Sequence, residues 1–245
     1  MRIRFLSLSF ALAGLLLVGC SDSSDSRPGG GTPPPDPEPE ISLDETGIYD
    51  GTLELDNGDV ALMRLKLARD GTTVITLDTD DDENPDVVLW GESEGGDGDI
   101  RFTGFDATGG ENVTIDLQIT EGTASGRLDL SSLPGEFSLP LDEIGAGGGS
   151  LDRIAGEYAR TSNLDGVSQL SIAADGAVKL EGTCEAEGTA SQIDTEVNLY
   201  RITMESECLN LDALLSLEEV ETEGDIVSID GDIEQGGLAL DFYRI

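Results

Sequence analysis

Histidine is absent from the 245 residues, and that absence removes whole classes of chemistry. There is no Ser-His-Asp triad, no Cys-His dyad, no HExxH zinc helix and no imidazole proton shuttle. Positive charge is scarce as well. Lys and Arg number 13 against 51 Asp plus Glu, a net charge of −38, and Lys66 and Lys179 are the only lysines. Such a surface repels phosphates and anionic head groups, so nucleic acid and charge-driven lipid binding are disfavoured, and no nucleic-acid partner is expected. Aromatic residues are 4% of the chain. Trp90, Tyr49, Tyr158, Tyr200, Phe105, Phe242 and Tyr243 are few enough to be spent mainly on cores, which leaves little for a sugar-binding platform. The SxxK, GxxxxGK and Asp-Thr-Gly signatures do not occur. Carboxylate pairs could in principle support hydrolysis. With 51 acids, however, the proximity of some pair carries no information. The expectation is a non-enzymatic protein.

The one long apolar run lies at the start. Arg2 and Arg4 precede the stretch from Phe5 to Val18, which ends in Gly19 just before Cys20. A charged start, a short apolar segment and a small residue form a secretory leader, too short for an ordinary spanning helix. Leu17-Val18-Gly19-Cys20 resembles the lipobox of bacterial lipoproteins. The resemblance implies cleavage after residue 19 and acylation of Cys20, with multiple acyl chains giving a stable bilayer anchor. Ser21 follows where that family's inner-membrane retention signal often places Asp, which points to the outer membrane. High acid content with scarce Lys further resembles exported proteins of salt-adapted bacteria.

Residues 20–40 continue as CSDSSDSRPGGGTPPPDPEPE, holding six of the nine prolines and no aliphatic or aromatic residue. A segment that cannot bury apolar surface does not offset its chain entropy, and it reads as a disordered tether. Beyond it, turn signals recur about every 8–12 residues between runs of Val, Ile, Leu and Thr, the spacing of an all-β sandwich or barrel. Asp56-Asn57-Gly58, Asp70-Gly71 and Asp175-Gly176 mark tight hairpins. Leu65-Lys66-Leu67, Val113-Thr114-Ile115-Asp116-Leu117 and Leu238-Ala239-Leu240-Asp241-Phe242 alternate with period two. Leu211 to Val220 reads as a strand from about Ala213, with a helix as the alternative because Leu211, Leu214 and Leu215 would share one helical face.

The two halves repeat one another. Gly47-Ile48-Tyr49 returns as Gly156-Glu157-Tyr158, and the hairpin from Leu65 to Gly71 returns as Leu170 to Gly176. Val87 to Gly91 aligns with Val178 to Gly182, Gly126-Arg127-Leu128 with Gly231-Asp232-Ile233, and Phe137 to Leu141 with Leu238 to Phe242. The expected organisation is a signal peptide at 1–19, lipidated Cys20 with its linker to 40, and two tandem β domains at 41–144 and 151–245. A Gly-rich linker, flexible by composition, joins them at 145–150. The fold class is all-β, two small antiparallel barrels or sandwiches, with one continuous sheet as a further alternative. The opening Gly-x-Tyr followed by hairpins resembles small lipocalin-like up-and-down barrels. Gly182-Thr183-Cys184, Asn198-Leu199-Tyr200-Arg201-Ile202 and Cys208 make the second half resemble a recurrent exported lipoprotein domain. That likeness implies fold and not activity.

Two sets of side chains stand out. With Cys20 assigned to lipid, Cys184 and Cys208 remain as a pair in an oxidising compartment, without CxxC spacing. A bridge closes a loop of about 25 residues, worth roughly 3 kcal/mol. The run from Asp78 to Asp86 offers Asp78, Asp80, Asp82 and Asp86 as candidate Ca²⁺ ligands, although Glu83 stands where an EF-hand needs Gly and Leu89 where it needs Glu. The bland reading is a solvated hairpin tip. No cofactor is required, and Ca²⁺ is the candidate. The functional expectation is an outer-membrane lipoprotein acting as a binding or envelope-structural module. Its partners would be the bilayer, through Cys20, and an envelope protein. The alternatives are a lipocalin-like carrier of a small apolar ligand and, third, a carboxylate hydrolase.

Overall fold

The computed structural model describes residue 41 and residues 44–245, apart from 81–84, 143–146, 163–165, 183, 221–223 and 234–235. The leader, Cys20, the tether and Asp82 lie outside the described residues. The segment Glu38–Ile245 forms one compact unit. It contains two closed antiparallel barrels of eight strands each, consecutive strands pairing throughout.

The first barrel runs through β1 (Gly47–Leu55), β2 (Val60–Leu67), β3 (Thr72–Asp78), β4 (Val87–Gly96), β5 (Asp99–Asp106), β6 (Asn112–Thr120), β7 (Thr123–Asp129) and β8 (Pro134–Pro140). It closes where Thr52–Leu55 of β1 pair with Gly135–Ser138 of β8. Side chains of a strand alternate between faces. In β6 this puts Val113, Ile115, Leu117 and Ile119 inside, with Asn112, Thr114 and Asp116 in solvent. Tyr49, Leu53, Leu65, Ile75, Leu89 and Phe102 meet them in one continuous core. β3 departs from alternation. Thr72 to Leu77 are buried on both faces, because the outer face of β3 is covered by the second barrel.

A short helix, α1 (Leu151–Ile154), leads into β9 (Gly156–Ser162), β10 (Gly166–Ile172), β11 (Ala177–Glu181), β12 (Ala186–Gln192), β13 (Leu199–Glu205), β14 (Asn210–Val220), β15 (Gly224–Ile233) and β16 (Gly236–Arg244). The seam between β16 and β9 is short, with Tyr243 opposite Ala159 and Arg244 opposite Tyr158. The stretch with two readings is a strand, β14, and it begins at Asn210 rather than Ala213. Leu211, Ala213, Leu215 and Leu217 face the barrel interior, while Leu214 packs against the other barrel. A strand apolar on both sides loses its period-two signature, and that is why Leu211, Leu214 and Leu215 imitate a helical face.

The repeat is visible in matched hydrogen bonds. Tyr49 Oη donates to the carbonyl of Glu45 at 2.7 Å, and Tyr158 Oη to that of Ile154 at 2.9 Å. The Asp-Gly turns are equivalent: Gly71 at φ +88° and Gly176 at φ +86° adopt the left-handed conformation that glycine alone takes at no steric cost. The carbonyl of Gly71 accepts from Ser93 N and that of Gly176 from Ala190 N, both at 2.7 Å. At the closing ends Asp142 N donates to Ile48 O, and Ile245 N to Glu157 O. One block of the sequence alignment moves. Val87 to Gly91 lies in the fourth strand of its barrel and Val178 to Gly182 falls on the third strand of the other. The true partner of β3 is β11, and that of β4 is β12. Short Val/Leu runs ending in Gly are too generic to separate neighbouring strands.

The glycine-rich joint is not loose along its described part. Gly148 O accepts from Arg153 Nη1 at 2.6 Å and Gly149 O from Gln192 Nε2 at 2.6 Å, while Ser150 N donates to Tyr200 Oη at 2.9 Å. A Cβ on Gly148 would lie 2.8 Å from the Thr195 carbonyl oxygen, so glycine here serves close approach.

The barrels meet across a dry seam. Ile48, Ala68, Val74 and Val88 of the first pack on Val197, Leu199 and Leu214 of the second. Trp90, expected in a core, is half-buried against this seam. Within it Lys66 is 1% exposed, and its Nζ lies 2.6 Å from Asp230 Oδ2. The same ammonium donates to Ser228 O at 3.1 Å and to Ser228 Oγ at 3.3 Å. Arg64 reaches Glu218 at 2.7 Å, and Arg69 reaches Asp194 at 3.2 Å. Three of the few bases thus stand on β2 and the turn after it, each facing an acid of the second barrel.

Removing one member of a buried pair leaves the other charge uncompensated, at a cost of about 3–5 kcal/mol. Lys66→Met is therefore expected to lower unfolding stability by about that amount. The double change Lys66→Met with Asp230→Leu should recover most of the loss. Urea titration followed by circular dichroism measures both; equal stability of the single variant and the parent would refute the role given to this pair.

Candidate functional site

Each barrel axis is filled. Tyr158, Leu170, Tyr200, Ile202, Leu215 and Phe242 occupy the second interior much as Tyr49, Leu65 and Phe102 occupy the first. Accessible concave surface lies instead on the outside. A cleft of about 610 Å³ opens at one end of the inter-barrel seam. One wall is the outer face of β1, β2 and β3, where register sets Asp50 beside Arg64 and Thr76, and Thr52 beside Leu62 and Asp78. The other wall is the outer face of β15 and β16, where Ser228 faces Asp241 and Asp230 faces Ala239. Pro85 completes the apolar lining, while Met63 and Leu240 border the cleft at strand positions whose side chains pack on the barrel cores.

Alternation explains why these side chains converge. Outward positions of β2 read Lys66, Arg64, Leu62 and Val60, and burial falls along that row from the dry seam to solvent. Lys66 is sealed, Arg64 is partly covered, and Leu62 is 46% exposed. Burial opposes the charge on Arg64. Its hydrogen bond to Asp50 and the nearby Glu218, Asp50 and Asp230 carboxylates outweigh that cost, and they hold the guanidinium even more firmly protonated than usual. The cleft is a mixed surface, with an exposed leucine among carboxylates whose nearby cations are already paired.

The described residues of the acidic run, 78–80 and 85–86, flank the connection between β3 and β4. Asp78, Asp80 and Asp86 each present an oxygen within 4.8 Å of the others. Asp82, the fourth candidate ligand, lies outside the described residues. Two internal bonds shape the tip: Asp80 N donates to Asp78 Oδ1 at 3.1 Å, and Thr79 N to Asp86 Oδ2 at 2.9 Å. Thr79 Oγ1 donates to the same Asp86 oxygen. The hydroxyl bond first, then the backbone bond, holds the Asp86 carboxyl below the usual range. Three carboxylates giving one oxygen each supply fewer than the six to eight Ca²⁺ takes, so an ion here would complete its shell with second carboxylate oxygens, water or backbone oxygens.

Cys184 and Cys208 are joined, with Cα atoms 6.0 Å apart. The bridge ties the β11–β12 connection to the β13–β14 loop at one end of the second barrel. Ser206 Oγ accepts from Cys208 N and Leu209 N at 3.2 and 3.0 Å, setting the turn that presents Cys208. The pair is structural in placement, away from the cleft.

A Gly-x-Ser-x-Gly sequence at 91–95, which sequence reasoning passed over, lies inside β4 and not on a strand-to-helix turn. Ser93 is buried, and its hydroxyl accepts from Thr73 Oγ1 at 2.8 Å. That context differs from a nucleophile elbow, which exposes its serine on a sharp turn. The cleft was also missed. Its signals were present: a lysine inside an apolar strand, and runs apolar on both faces in β3 and β14.

Two outcomes follow. Reducing the bridge, or replacing it by Cys184→Ala with Cys208→Ala, should cost about 3 kcal/mol in urea unfolding, the chain-entropy value for a loop of this size. An unchanged midpoint would count against it. At the tip, Asp86 is depressed in the folded state, so its contribution is present above the ordinary carboxyl pKa of about 4 and is lost as pH falls through the lower folded value. Hydrogen exchange at Thr79 N should therefore accelerate in acid beyond its intrinsic pH trend, and Asp86→Asn should abolish that pH response.

No known protein family, curated protein or solved structure matches this chain.

Proposed function

We propose that the chain is a lipid-anchored outer-membrane protein, held by acylated Cys20 on its tether, whose two-barrel body is a non-enzymatic binding or envelope-structural module. The observation that carries this reading is the seam: filled barrels locked by a buried Lys66–Asp230 pair make one body whose concave surface lies outside the barrels. Such a body suits presenting a fixed surface to a partner. A carrier of the lipocalin-like kind would need a hollow axis, and here Tyr49, Phe102, Tyr158 and Phe242 fill the axes. The absence of histidine, with the few perturbed carboxylates explained by local hydrogen bonds, supports a non-catalytic role. Ca²⁺ at the Asp78–Asp80–Asp86 tip is a candidate accessory ion and not a requirement of this reading.

The anchor is tested by expressing the full chain and its Cys20→Ser variant in a Gram-negative host with labelled palmitate. Label should enter the parent and sediment with outer membrane, and the variant should be unlabelled and released. Native mass spectrometry of residues 21–245 then tests the module. The expected mass is that of the bare chain with one disulfide, unchanged by chelation, and crosslinking in the envelope should capture a partner. A copurifying apolar molecule would favour the carrier instead.

A further inference from the structure

We propose that the cleft between the barrels is a binding site for a small organic cation, an alkylammonium or alkylguanidinium whose charged end meets the aspartates and whose chain lies on Leu62. The inference deepens the binding-module reading, and it rests on that reading.

Three observations converge. The first is size: about 610 Å³ lies within the range of small-molecule sites and far exceeds what a bare metal ion occupies. The second is charge. Among the described residues, Asp50, Asp78, Asp230 and Asp241 line the cleft against one lining base, Arg64. Arg64 is already held by Asp50 and Glu218, and Lys66 behind it by Asp230. Local cations are therefore consumed by acids at the seam, and the walls keep a net negative charge. An anion is repelled there, and a neutral apolar molecule would desolvate the carboxylates without compensation. A cation gains at each step. The third is the leucine. Leu62 is 46% exposed between Thr52 and Asp78, an apolar position where a surface strand ordinarily carries a polar residue. With Ala239 opposite and Pro85 at the rim, it offers a small apolar bed beside the carboxylates.

The same charges argue against occupants from the chain itself. The tether carries Asp22, Asp25, Asp36, Glu38 and Glu40 against Arg27, and a second mature copy, without Arg2 and Arg4, would bring 51 acids against 11 bases. Both are repelled.

The probe is 1,8-diaminooctane, titrated calorimetrically into the mature acylated chain, residues 20–245, in nanodiscs of zwitterionic lipid at physiological ionic strength, with empty nanodiscs as blank. Saturable binding of one diamine per chain is expected, with octane-1,8-diol and octanoate silent. Asp241→Asn and Leu62→Asn should each weaken binding about five-fold, the scale of one partly exposed contact. Glu187→Gln, an exposed acid on β12, a strand that contributes nothing to the cleft, should leave it unchanged. Binding no stronger than the blank, equal binding of the diol, or equal weakening by Glu187→Gln would overturn the site, the last by showing diffuse counterion attraction. A failed titration removes the cleft assignment alone. The tethered-module reading falls only if Cys20 is not acylated or the envelope yields no partner.

Discussion

The buried contact between Lys66 and Asp230 organises the molecule beyond its two residues. A lone ammonium in an apolar seam is tolerable only with a carboxylate and hydrogen-bond acceptors around it. Asp230 Oδ2 at 2.6 Å and the two Ser228 oxygens supply them from a single strand of the other barrel. Because the partners are on β15 and the ammonium on β2, satisfying Lys66 sets how the barrels register. The apolar contacts among Val74, Val88, Leu199 and Leu214 supply area without direction, whereas the ion pair supplies direction. Arg64 and Arg69 extend the same logic along the seam. In a chain so short of positive charge, concentrating three bases there converts general self-repulsion into local attraction between the barrels.

Closure of each barrel solves a second problem. An open sheet edge exposes unpaired backbone groups that recruit other chains. Here β1 meets β8 and β9 meets β16, so the strands close on themselves. Filled interiors follow from the size of an eight-stranded barrel, which is just wide enough for its own side chains. Function is thereby displaced to the outer faces. Where two convex barrels touch along a line, a wedge of space must open beside it, and the cleft lined by Leu62 and Asp241 is that wedge.

The two barrels share one strand plan, and they differ in the outer faces that form the seam. Tyr49 and Tyr158 make the same bond, and Gly71 and Gly176 turn the same hairpin. The faces that meet are not equivalent strands: β2, β3 and β4 on one side lie against β14, β15 and β16 on the other. A bridge between Cys184 and Cys208 belongs to the second barrel alone. Each half kept the interior pattern that closes a barrel and changed the exterior that decides its neighbours.

Much of this was legible in the chain. Alternation in β6 and β16, the Asp-Gly turns and the order of the repeat determined two antiparallel β units, because these signals are local and depend only on pleat and turn geometry. The pairing of Cys184 with Cys208 was legible only through the lipobox resemblance, which sets Cys20 aside for lipid. The Asp78–Asp80–Asp86 tip was legible as a candidate cluster, since near neighbours in a hairpin stay near in space. Tertiary structure alone decided that the barrels close, that β3 and β14 are buried on both faces, that Trp90 leaves the cores for the seam, and that Lys66 meets Asp230. Those outcomes join residues up to 164 positions apart, and no local pattern encodes which outer face of one barrel will find the other.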